Sequence, residues 1–99
     1  MTPEGKIKAH LDRVLAKYGD DLHSFKPVQN GMGSPALDYI ICYRGWYATI
    51  ETKAGSKPFT PRQELTADRL RLAGAVVFLV NEATGTQAVT DWLDSTKWA

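Results

Sequence analysis

Asp38, Glu51 and Lys53 are the residues of this chain whose types and spacing could do chemistry. Paired carboxylates suit a hard divalent cation such as Mg²⁺, which takes one or two of them and completes its shell with water or substrate phosphate. Such an ion can polarise a phosphodiester, generate a hydroxide nucleophile and stabilise the leaving oxygen. An ammonium beside the pair could orient the attacking water or offset charge developing on the phosphate. A plainer reading stays open: a lysine bridging an acid at a strand end, with little energetic consequence.

The elements around the three residues decide whether they can meet. Leu37 to Tyr43 and Trp46 to Lys53 read as strands, and Arg44-Gly45 between them is a two-residue hairpin connection. That turn pairs Tyr43 with Trp46 and sets Asp38 opposite Glu51, where Cβ atoms are about 4.5–5.5 Å apart. Lys53, two residues beyond Glu51, shares its face. The other face carries Leu37, Tyr39, Ile41 and Tyr43 against Thr52, Ile50, Ala48 and Trp46, mostly apolar and suited to packing on a helix. Like charges across a ladder are unfavourable by about 0.2–1 kcal/mol when solvated, and by more when desolvated. A divalent cation would resolve that conflict.

Outside the hairpin, Thr2 can cap a first helix, with Pro3 at its first position and Glu4 complementing its dipole. Ile7, Leu11, Val14, Leu15 and Tyr18 form its apolar stripe, and Gly19-Asp20-Asp21 ends it. Ser24 to Gln29 is a short strand candidate that Pro27 assigns to an edge. Asn30 to Pro35 is a loop by composition. Thr60-Pro61-Arg62-Gln63 reads as a capping box opening a second helix, which runs through Leu65, Ala67, Leu70 and Leu72 to Gly74. Ala75 to Val80 is an unbroken apolar run, the pattern of a strand buried on both faces. Thr86 to Ser95 closes as a short helix with Val89, Trp92 and Leu93 inward. The order α-β-β-β-α-β-α implies a mixed sheet with helical layers.

Ninety-nine residues, 43% hydrophobic and 23% charged, are expected to form one domain, residues 1–99, rather than a disordered chain. No apolar run is long enough to span a bilayer, and the first residues lack the apolar stretch of a secretory signal. One cysteine, Cys42, excludes an internal disulfide framework and is expected to pack as a small hydrophobe. His10 and His23 have no cysteine partners for a structural zinc site. These features predict a reduced, soluble, cytoplasmic domain with no membrane association and no organic cofactor.

Gly33-Ser34-Pro35-Ala36-Leu37-Asp38, then Ile50-Glu51-Thr52-Lys53, then Gln63 early in the next helix, resemble the PD-(D/E)XK nuclease superfamily. Within it the likeness is greatest to the virus-type replication-repair nuclease (VRR-NUC) family, over roughly residues 3–80. Pro35 lies three residues before Asp38 rather than adjacent, and Thr52 stands where an apolar residue is common. The resemblance implies an α/β, restriction-endonuclease-like αβββαβ core, a mixed sheet flanked by helices, here with a short C-terminal helix. It implies Asp38 and Glu51 as ligands of Mg²⁺ or Mn²⁺, the Thr52 carbonyl as a further ligand, and Lys53 as the catalytic lysine. Glu4 matches a helical glutamate that joins the metal site in relatives; a first-turn acid serving the helix dipole is the other reading. Gln63 matches a polar residue near the site, which its capping role does not prevent.

For substrate, Lys53, Lys57, Arg62, Arg69 and Arg71 outnumber Glu64 and Asp68 directly after the proposed site. Lys57, Arg62 and Ser34 are the residues expected against nucleic acid. Lys6, Lys8, Arg13 and Lys17 add a basic set on the first helix, and Met32 could lie against nucleic acid as a wedge. Each of these cations could equally be part of a solvated face. Trp98 hints at a partner surface. With no room for a separate recognition domain, specificity must come from DNA shape or a partner. By resemblance the chain is expected to be a homodimer cutting branched DNA, four-way (Holliday) junctions above all, and to be of viral or mobile-element origin. A non-catalytic nucleic-acid-binding or assembly module on the same fold is the alternative, and a sequence-specific restriction-type enzyme is disfavoured by size.

Overall fold

The computed structural model describes residues 1–29, 31 and 33–99. Asn30 and Met32 lie outside the described residues, and with them the expected wedge. The elements are α1 (Pro3–Ala16), a 3₁₀ turn (Gly19–Asp21), β1 (Leu22–Phe25), β2 (Tyr39–Tyr43), β3 (Trp46–Thr52), α2 (Pro61–Leu72), β4 (Val76–Val80) and α3 (Gln87–Ser95). They form one four-stranded sheet in the order β1-β2-β3-β4. The first three strands pair antiparallel, and β4 runs parallel to β3 after the α2 crossover. The result is the mixed, helix-flanked α/β sheet that the sequence implied.

Local chemistry accounts for most boundaries. Thr2 accepts from the Gly5 amide at 3.0 Å and Pro3 opens α1. Arg44 and Gly45 have φ of 54° and 88°, the positive values a type I′ hairpin turn requires. That turn sets the register Tyr43↔Trp46 through Tyr39↔Ile50. One sheet face then gathers Tyr39, Ile41, Tyr43, Ala48, Ile50 and Val80 against Ile7, Leu11 and Leu15 of α1 and Val89 and Leu93 of α3. Trp92 is half-buried there, edge-on to Phe78.

Three expectations need correction here. β1 covers Leu22–Phe25 rather than Ser24–Gln29. The 3₁₀ turn delivers Leu22 directly opposite Tyr43, and Pro27 lacks the donor needed to carry the ladder on. β4 is an edge strand, half-buried over Val76–Leu79 and buried only at Val80, so its apolar run does not mark a central strand. The leucines of α2 divide between faces. Leu65 and Leu72, seven apart, share an outward face at 61% and 91% exposure, while Ala67 is buried and Leu70 half-buried. Cys42 is exposed, because alternation along β2 turns it away from the helical layer that Ile41 and Tyr43 meet. Phe25 and Tyr47 are exposed as well, at register positions on the Cys42 side of the sheet.

The C-terminal residues are tied to the hairpin. The Arg44 guanidinium donates to the Thr96 carbonyl at 3.0 Å and lies over the rings of Tyr43 and Trp98. The Trp46 indole N–H donates to the Lys97 carbonyl at 2.7 Å. Trp98 itself remains largely exposed.

Candidate active site

The ladder between β2 and β3 ends at Tyr39↔Ile50. Asp38 therefore sits in a bend just outside it, and the simple face-to-face pairing with Glu51 becomes a crossed lock. The Asp38 backbone N–H donates to Glu51 Oε1 at 3.1 Å. The Asp38 carboxylate reaches past Glu51, and its Oδ2 accepts from the Thr52 backbone N–H at 3.0 Å and from the Thr52 hydroxyl at 2.7 Å. Each acid is thus held by the other's strand, which fixes both carboxylates at one end of the hairpin.

Glu51 is buried, with 4% of its surface exposed. Its second oxygen, Oε2, accepts from the Gln63 side-chain amide at 2.8 Å and lies 4.0 Å from Lys53 Nζ. Burial above all, then the neighbouring Asp38 charge, pushes its carboxyl up to about 7, against the pull of the Asp38 N–H and Lys53. Lys53 is anchored by its backbone N–H on the Val80 carbonyl at 2.9 Å, so the edge strand β4 positions the amine.

Gln63 does two jobs. Its Oε1 accepts from the Thr60 N–H at 3.0 Å, while its own backbone N–H donates to the Thr60 hydroxyl at 3.2 Å, closing the capping box. The remaining amide N–H₂ is the group on Glu51. The local signal that starts α2 therefore also aims a donor at the buried acid.

The other expected residues divide. Ser34 and Arg62 line one groove of about 490 Å³ together with Gln63, Pro35 and Thr60. Lys57 is exposed in the turn after β3, outside that groove, its carbonyl accepting from the Asn81 side chain at 3.0 Å. Lys8 links Glu4 to Asp38, its ammonium 3.7 Å from Glu4 Oε1 and 3.8 Å from Asp38 Oδ2, and the Glu4 charge is the smallest of those that raise the Glu51 carboxyl. The sequence places Lys8 only in a basic helix face. Its spacing of one turn from Glu4 was the signal that it belongs to the site. His10 and His23 are exposed and apart from the pair.

The donor set fits a hard divalent cation in chemistry. It consists of carboxylate oxygens held in place by backbone and side-chain donors, with an acid whose charged form is disfavoured where it stands. Among the described residues, no group of three or more His, Cys, Asp or Glu side chains converges on one point. Two carboxylates with a backbone carbonyl would leave the remaining positions to water and substrate, as Mg²⁺ usually has it.

No family model matches this chain, and no curated protein matches it. A solved structure described as a VRR_NUC domain superposes with a TM-score of 0.75, covering 98% of this chain and 100% of that one at 22% identity. At that identity the likeness establishes the fold: this chain has the architecture of a VRR_NUC domain over nearly its whole length. Among the described residues no helix is long and apolar enough to cross a membrane.

Proposed function

We propose that this chain is a Mg²⁺- or Mn²⁺-dependent endodeoxyribonuclease of the VRR-NUC type, within the PD-(D/E)XK superfamily, that hydrolyses phosphodiesters in branched DNA as a homodimer. The observation that carries it is the crossed lock of Asp38 and Glu51 with Lys53 Nζ 4.0 Å from Glu51, at one end of the central hairpin of a VRR_NUC-like fold. A bound divalent cation would supply Lewis-acid polarisation of the phosphate and an acidified water.

The chain's own residues do the rest. Asp38 and Glu51 would offer the cation their carboxylates, with Glu4 one lysine away. The Thr52 N–H faces Asp38; in an extended strand a residue's C=O points the same way as its N–H, which favours the Thr52 carbonyl as a third ligand. Gln63 and the Asp38 N–H keep Glu51 from rotating, the kind of support whose loss typically costs 10–100-fold in affinity or activity. Lys53 orients the attacking water and neutralises charge growing on the phosphate. Arg62 and Ser34 in the groove, with Lys57 on the turn after β3, hold the flanking backbone phosphates.

The test is cleavage of supercoiled plasmid and of a synthetic four-way junction by the purified chain, with Mn²⁺, Mg²⁺ or chelator. Cleavage is expected only with the metals, fastest on the junction. Lys53→Ala and Asp38→Asn should each lower it by about 100-fold or more. Equal nicking by wild type and Lys53→Ala would overturn the assignment. Junction binding without cleavage would favour a non-catalytic module, and a single cut sequence on random duplex would contradict structure selectivity.

A further inference from the structure

The acidic pair is flanked by a cation on each side. Lys53 comes from the strand, 4.0 Å from Glu51 Oε2. Lys8 comes from α1, 3.8 Å from Asp38 Oδ2. That second distance is too long for a hydrogen bond, and Asp38 Oδ2 already accepts an N–H and an O–H from Thr52. What Lys8 contributes is charge. Its backbone is fixed within α1, Pro3–Ala16. Its side chain is 38% exposed. An anchored base and a wet tip let the ammonium leave the carboxylates without disturbing the core.

We propose that Lys8 is the counter-ion of the acidic pair in the metal-free protein, that it yields this place when a divalent cation binds, and that this exchange sets the site's cation affinity. The inference rests on the metal-dependent reading above and extends it to a residue of the first helix. An ammonium about 5 Å from a divalent ion opposes its binding by roughly ten-fold even at the dielectric of water. Helix α1 thus carries both an acid that would join the cation, Glu4, and the amine that competes with it.

The experiment is a calorimetric titration of the full chain with Mn²⁺ alone, no DNA present, paired with thermal unfolding in chelator and in saturating Mn²⁺. Lys8→Met keeps the aliphatic stem and removes the charge; it should bind Mn²⁺ about ten-fold more tightly. Lys8→Arg should stay within about two-fold of wild type, because the charge is retained. Lys17→Met loses the same net charge about 13 Å further along the helix and should also stay within about two-fold at physiological salt. Lys8→Met should unfold at lower temperature than wild type in chelator and match it in saturating Mn²⁺, whereas a merely structural lysine would leave the gap open in both. If Lys8→Met does not fold, Lys8→Gln gives the same readout.

Unchanged or weaker Mn²⁺ binding by Lys8→Met, with Asp38→Asn abolishing binding, would overturn the role of Lys8 and leave the metal site standing. Equal tightening by Lys17→Met would assign the effect to overall charge and overturn it as well. No Mn²⁺ binding by wild type would bring down the metal reading itself, and this inference with it.

Discussion

Glu51 is a carboxyl group placed where its charge is hardest to keep. The folded chain holds its proton to about pH 7, whereas an ordinary glutamate gives it up near 4.5. Between those values the folded state binds more protons than the unfolded one, so stability falls as pH rises through the interval and levels off above it. In chelator, the melting temperature should be higher at about pH 5.5 than at about pH 8, and Glu51→Gln should flatten the difference. For a domain of this size each kcal/mol corresponds to about 4–8 °C. An equally steep slope in Glu51→Gln would assign the effect to other groups. The Asp38 carboxylate accepts two donors from Thr52. The same crossed lock therefore places a hydrogen-bonded carboxylate beside the buried Glu51.

The hairpin and α2 place these side chains. A type I′ turn at Arg44-Gly45 fixes the register, and the register alone brings residues 38 and 51 to the same end. The capping box of α2 then swings Gln63 onto Glu51. Two substitutions separate the helix-starting role from the positioning role. Thr60→Ala deletes the cap at a cost of about 1 kcal/mol, but leaves Gln63 its bond to the residue-60 N–H; cleavage by the folded protein should change by less than about two-fold. Gln63→Glu keeps an acceptor for that N–H and replaces the donor facing Glu51 with a like charge; cleavage should fall by about ten-fold or more. Equal losses in both, measured as initial rates with saturating Mn²⁺, would mean that α2 matters only as a stable helix. Much of this level could be read from residue order: Pro61 after Thr60, Gln63 three beyond, glycine at the turn. The strand limits could not, because whether Asp38 joins the ladder depends on where its carboxylate finds donors, and these lie on Thr52.

At the scale of the molecule, the helical layer of α1 and α3 buries one sheet face, while Phe25, Cys42 and Tyr47 remain exposed at register positions on the other. The proposed homodimer would gain from covering them. Light scattering at micromolar concentration should give twice the protomer mass, and Tyr47→Glu should halve it if this face is the interface. A dimer unmoved by Tyr47→Glu would place the interface elsewhere, and a wild-type monomer would remove the dimer from the proposal.

Periodicity, caps and turn chemistry determined by themselves that two acids and a lysine would gather at one end of a hairpin in a mixed sheet, since these are local signals that act between near neighbours in the chain. Only the tertiary structure decided which apolar runs are covered. The apolar strand β4 lies at an edge, two leucines of α2 face solvent and Cys42 is exposed. It alone also brought Lys8 from the first helix to Asp38. Coverage and long-range ion pairs depend on how layers stack, and no window of sequence contains the opposing surface.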